Sequence, residues 1–524
     1  MSDGLSVLIE PWGPTQARLT QAARAAARNP EVRALLKGAD TRVLATRPLE
    51  DHGPRRRPRA AARFASEVYD YTNQRTVRVE GDLDAPARLV VQELGMQPLP
   101  SGEEFAAAVA VTRDDPDLGP ALREGRLEPY RPMPPVLALD GPEGEEERGV
   151  TVGLRPIGPG ARNEIVAVNL ARGAVTRFEA RAPATAHADD ETCGAPDAGQ
   201  PPTERGVPGS ARITVKQGAT VLWRLIATRP SASTGEQGSG IDLAAVDYRG
   251  KRVLRRAHVP ILNVRYGGDA CGPYRDWQFA ESPFTAPGAN RAPGFRLCSS
   301  PAKTVLEGAP DQGSFRGVAV YVQGQEVVLV SELEAGWYRY VSRWHLAADG
   351  TIRARFGFGA VQNSCVCNKH FHHAYWRLNF DIGAAARNRV GEWNDAPGPA
   401  PGSWRTLRFE QRRPKAPAWK RKWRVINTQS LAGYEIRPGA NDGVADPWGV
   451  GDLWVVRFRA DQVDDSAVAT DQRAAIDAFV NGERVDDHDV VVWYAAHFTH
   501  DVHAEEHNGG GHIVGPDLVP FAWS

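Results

Sequence analysis

Apolar and polar positions along the first 185 residues follow two rhythms that appear twice. The stretch LTQAARAAARNPEVRALL carries its apolar residues at helical spacing, and ASEVYDYTNQRTVRVEGDL then alternates apolar and polar residues with a turn at Thr72–Asn73. The same order recurs in EEFAAAVAVTRDDPDLGPAL, followed by VTVGLRPI and EIVAVNLARGAVTRFEA. Each unit reads as a helix followed by antiparallel hairpins. The pattern predicts two small α+β domains, residues 1–98 and 99–185.

Between 183 and 209 the chain is crowded with proline, glycine, alanine and acids and has no apolar period, which predicts a linker, placed at 186–209. Beyond it the rhythm is almost wholly that of strands. ARITVKQGATVLWRLIA, IDLAAVDYRGKRVLRRAHV, GVAVYVQGQEVVLVSELE, YRYVSRWHLAADGTIRARFGFGA, AYWRLNFDI and DLWVVRFRA follow one another with turn residues between them. Residues 210–524 are therefore expected to form a large antiparallel β-sandwich, giving a mainly β chain with an α+β N-terminal part.

Composition narrows the function. The chain's 524 residues, 42% of them hydrophobic, suffice for substantial cores. With 63 basic against 64 acidic residues, no global charge favours nucleic acid or an anionic membrane. No apolar run approaches the length of a membrane span, and MSDGLSVLIEPWGP lacks a basic-then-apolar leader, so a cytoplasmic location is expected. In that compartment Cys193, Cys271, Cys298, Cys365 and Cys367 would stay reduced. Cys365 and Cys367 stand close enough to the histidines described next to assist metal loading, or serve no function.

Ten of the 13 histidines lie from His345 onward. In HFHHAYWRLNFD, His370 and His372 are two apart on an expected strand and so point to one face. A third imidazole from elsewhere, His500 in WYAAHFTHDVHAEE, would complete a transition-metal site.

These residues resemble the copper amine oxidase family. His370 and His372 are followed by Arg377, Asn379 and Asp381, while Trp493, His500, Glu505 and Glu506 reproduce the spacing around the family's third copper ligand. The resemblance implies copper on His370, His372 and His500, and a topaquinone cofactor made from Tyr338 in EAGWYRYVSRWH. Here the family's asparagine, acid and threonine are replaced by Trp337, Arg339 and Glu334. It further implies a tyrosine-bearing turn at Tyr266, with Glu281 or Asp276 as catalytic base. Asn379, Asp381 and Asp489, with the carbonyls of Phe380 and Val490, would form a weakly held calcium site. The expected activity is copper-dependent oxidation of a small primary amine by O2, in a homodimer. The alternative is a copper enzyme on the same fold that leaves Tyr338 unmodified and uses copper and O2 directly on a specialised substrate.

Overall fold

The computed structural model describes residues 4–523 except 50–58, 86–87, 95–96, 133–134, 143, 158–163, 179–192, 196–202, 204–205, 234–239, 268–273, 277–279, 308–312, 362, 396–401, 466–472 and 502–511. Most of the expected linker, Gly268 and Asp269 of the tyrosine turn, Cys271, Glu505 and Glu506 lie outside the described residues.

Two helix-and-sheet units form between Gln16 and Arg177. In the first, the helices Gln16–Arg28 and Pro30–Leu35 accompany a four-stranded sheet running from Thr41–Leu49 to Leu89–Leu94. The single helical run of the sequence breaks because Pro30 cannot donate within a helix interior but suits a helix start, and the Asn29 side chain accepts from the Glu31 amide at 2.9 Å. In the second, the helix Gly102–Asp114 begins with a capping box. Ser101 accepts from the Glu104 amide while the Glu104 side chain reaches back to the Ser101 amide. It covers a five-stranded sheet through a core of Ala108, Val109, Val152 and Val166.

The remainder is a sandwich of a ten-stranded and a twelve-stranded sheet. Pairing is antiparallel throughout the described ladders, except where Phe295–Cys298 runs parallel to Val318–Gln323. The strand Leu5–Trp12, which the sequence reading assigns to the first small domain, instead pairs with Ser210–Gln217 at the edge of the ten-stranded sheet. Its alternating Leu5, Val7 and Ile9 fit the sandwich core as they would any sheet, so nothing local told the two apart.

Two central strands of the ten-stranded sheet, His370–Phe380 and Val490–His500, lie side by side in register, with His370 opposite His500. Their even-numbered residues Ala374, Trp376, Leu378, Val492, Tyr494 and Ala496 face the main core, together with Tyr340, Trp344, Phe356 and Phe358 of the opposing sheet. The odd-numbered Tyr375, Val491, Trp493 and Ala495 pack in a separate cluster on the outer face. This period of two sets the geometry of the site.

Candidate metal centre between the two sheets

The alternation that buries Trp376 and Leu378 also carries His370 and His372 to the inner face, and the register brings His500 alongside them. His370 Nδ1 lies 2.6 Å from the carbonyl of Asn368. It must therefore be the protonated nitrogen, leaving a lone pair on Nε2. That Nε2 lies 3.0 Å from His500 Nδ1. His372 Nε2 is buried with no hydrogen-bond partner among the described residues.

Burial, helped by the neighbouring imidazole of His500, drives the His370 pKa down to about 3, and burial with His370 and His500 drives His372 well below the ordinary value. Both rings are thus neutral at neutral pH, the form a metal requires. Among the described residues no three His, Cys, Asp or Glu side chains stand grouped as an ion's ligands. The donor set nonetheless fits copper chemically: neutral imidazoles, two nitrogens already converging, and a third that is buried and orphaned.

Across the gap, the strand Tyr338–Ala347 turns Tyr338 and Tyr340 to the same face by the same period of two. The Tyr338 ring packs edge-on against His372, with centroids 4.9 Å apart, and lies 5.6 Å from His370. Its hydroxyl meets that of Tyr266 at 2.7 Å, and the Trp337 indole N–H donates to the Tyr266 oxygen at 2.7 Å. Phe358 stacks on His372 with centroids 3.9 Å apart, and Phe498 lies against both His372 and Phe358, so aromatic rings flank the cluster.

The two candidate bases are placed differently. Glu281 is fully buried and bidentate to Arg229, and takes further hydrogen bonds from the Ser231 hydroxyl at 3.0 Å and amide at 3.3 Å. Asp276 is buried beside the cluster and accepts a hydrogen bond from the Tyr340 hydroxyl. Burial raises its pKa to about 7 against the opposing effect of that bond. Tyr340 also lies 3.2 Å from His372 Nδ1. Tyr340 went unassigned in the sequence reading, although the same-face argument that paired His370 with His372 pairs it with Tyr338. His512, whose ring centre lies 5.2 Å from that of His500, was missed as well, and its spacing held no signal.

The side chains expected at the second cation site lie near one another. Asn379 Nδ2 donates to Asp489 Oδ1 at 3.1 Å, while Asn379 Oδ1 and Asp381 Oδ1 are buried without hydrogen-bond partners among the described residues. Burial and the nearby Asp489 carboxylate raise Asp381 to about 7. Two orphaned oxygens fit a hard cation, although Arg255 Nη1, 3.5 Å from Asp489 Oδ2, already supplies one positive charge.

The cysteines depart from expectation. Cys193 and Cys367 form a disulfide, and Cys365 is also disulfide-bonded; Cys298 alone is free among the described residues. The expectation of reduced thiols rested on an inferred compartment. The chain instead brings Cys193 against the segment that leads to His370, through a bridge between Cys193 and Asn363.

A copper-containing benzylamine oxidase from Hansenula polymorpha superposes with a TM-score of 0.64 over 98% of both chains, at 13% identity. The chain has the copper amine oxidase fold. An amine oxidase from Aspergillus nidulans aligns over 98% of this chain and 88% of its own, with a TM-score of 0.57 at 13% identity. A lysyl oxidase from Pichia pastoris gives 0.57 over 98% and 90%, at 12% identity. No family model matches the sequence, and no curated protein matches it. The likeness is therefore one of fold. No helix among the described residues is long and apolar enough to cross a membrane.

Proposed function

We propose that the chain is a copper-dependent oxidase acting on a small primary amine. The observation that carries this reading is the convergence of His370 Nε2 and His500 Nδ1, with the buried, unpartnered His372 Nε2, beside the Tyr338 ring. Those three nitrogens would hold copper, which would supply the redox chemistry with O2, together with a topaquinone formed from Tyr338. Tyr266 fixes the Tyr338 hydroxyl, and the flanking aromatic rings keep water from the centre. Of the two acids, Asp276 suits the removal of a substrate proton, taken up on its carboxylate, because it sits within the tyrosine–histidine cluster. The Glu281 carboxylate is committed to Arg229. A homodimer and a weak calcium site at Asn379, Asp381 and Asp489 belong to the same reading. The Cys193–Cys367 disulfide favours an oxidising compartment over a cytoplasmic one.

A second reading has an observation of its own. Trp337 donates to Tyr266 and Tyr266 meets Tyr338, so the Tyr338 hydroxyl is held through a partner that is itself anchored. A ring so held would stay a tyrosine, and copper with O2 would act directly on a specialised substrate. Aerobic loading with copper decides between them. The expected outcome of the first reading is about one copper per chain and a Tyr338 peptide that gains mass and takes up a hydrazine. Copper binding with an unmodified Tyr338 would favour the second. Absence of copper binding would end both.

A further inference from the structure

The strand-pairing that sets the three imidazoles on one face does not fix which nitrogen of each carries the proton. For His370 the Asn368 carbonyl does so. For His372 the partner of Nδ1 among the described residues is the hydroxyl of Tyr340, at 3.2 Å. A tyrosine hydroxyl has one proton and can give it to one acceptor. Here that proton goes to Asp276, to which Tyr340 donates. The phenol oxygen is then left to accept, so the proton between it and His372 must sit on Nδ1. The lone pair of His372 is thereby forced onto Nε2, the atom the structure leaves buried and unpartnered.

We infer that Tyr340 is a positioning residue for the metal centre: anchored by Asp276, it fixes the tautomer and ring orientation of His372 so that Nε2 faces the ion. The chain runs from Asp276 through Tyr340 to His372, and all three side chains are essentially excluded from solvent. An aspartate ordinarily acts directly on a metal-binding histidine; here a phenol is inserted between them. Its insertion has a geometric reason. Asp276 follows the short strand Tyr274–Arg275, which pairs with Lys251–Tyr266 in the ten-stranded sheet, whereas Tyr340 belongs to the opposing sheet. The phenol thus ties the two layers of the sandwich together at the site, and places the carboxylate proposed as base and a proposed ligand on one hydrogen-bonded path. Phe358, stacked on the His372 ring, holds it from the side but offers no hydrogen bond, so the orientation about the ring normal is left to Tyr340.

The inference rests on the assignment of copper to His370, His372 and His500, and its test separates the two. Copper affinity and the Cu(II) electron paramagnetic resonance spectrum would be measured for the full chain and for Tyr340→Phe, Asp276→Asn and His372→Ala. Tyr340→Phe removes a single oxygen. The expected result is a 10–100-fold loss of copper affinity, as for other outer partners of metal-bound histidines, with altered Cu(II) hyperfine splitting. Asp276→Asn should shift the same spectrum in the same direction. It reads the path from its far end should Tyr340→Phe fail to fold. Wild-type affinity and spectrum in both of these variants would overturn the role of Tyr340, while loss of copper in His372→Ala would leave the ligand assignment standing. Undiminished copper binding by His372→Ala would remove the assignment and the inference together.

Discussion

At the scale of single residues, the sequence disclosed the side chains whose chemistry is unusual wherever they occur, and hid those whose role comes from a partner. His370 and His372 could be paired from their spacing alone, because a strand's period of two leaves no other arrangement. Glu281 and Asp276 could not be ranked, because the difference between them lies in Arg229 and Tyr340, which are remote in sequence and adjacent in space. Asp381 shows the energetic side of the same point. Its folded pKa of about 7 lies above the ordinary 3.8, first because it is buried and then because Asp489 faces it. Between those two values the folded protein retains a proton that the unfolded chain has released. Stability from this group is therefore fully present below pH ~4 and is lost as pH rises to ~7, with a slope of at most ~1.4 kcal/mol per pH unit. Below the ordinary histidine value of 6.5 the depressed His370 and His372 impose the opposite slope, so the decline is read as a difference: across pH 4 to 8 the stability of the wild type relative to Asp381→Asn, from thermal unfolding, should fall. Calcium added at pH 8 should raise the melting temperature of the wild type more than that of the variant. A pH profile indifferent to Asp381→Asn would show that the carboxylate pair carries no such strain.

Single elements were legible where the local pattern was self-sufficient. The capped helix at Gly102–Asp114 announced itself through Ser101 and Glu104, and the break at Pro30 through proline chemistry. The irregular turn Ser364–Cys367 did not, since its form depends on the disulfide to Cys193, 174 residues away. This turn leads directly into the strand bearing His370, and the Asn368 carbonyl that holds His370 Nδ1 lies one residue beyond Cys367. The cross-link should therefore serve both the fold and the site. Cys193→Ser is expected to lower stability by ~2–5 kcal/mol, the usual cost of removing a native disulfide. It should weaken copper binding as well, because the turn then constrains Asn368 less. Chemical denaturation and copper titration of the variant check both parts. Unchanged copper affinity in a destabilised variant would confine the disulfide to a structural role.

At the scale of the whole molecule, the sandwich was readable as a class and unreadable as a topology. Repeated alternating segments demand two facing sheets, but the order of strands within each sheet is set by long-range pairing. The clearest case is Leu5–Trp12, which precedes both small α+β units in the chain and yet completes the ten-stranded sheet against Ser210–Gln217, over eight paired residues. Its buried Ile9 joins the main core, with Leu5 and Val7 packed against it. Removing residues 1–13 would thus do more than trim a terminus. It would strip a strand from the sandwich, uncover apolar core beneath Ile9 and leave the outer backbone groups of Ser210–Gln217 unpaired, an edge prone to pairing with another chain. The truncated protein should melt at a lower temperature and self-associate with increasing concentration, as scanning calorimetry and light scattering would record. Deletions confined to the exposed face of the first small unit should do neither. If the truncation behaved like the full chain in both measurements, the Leu5–Trp12 strand would be a peripheral addition, and the sandwich would be complete from Ser210 onward.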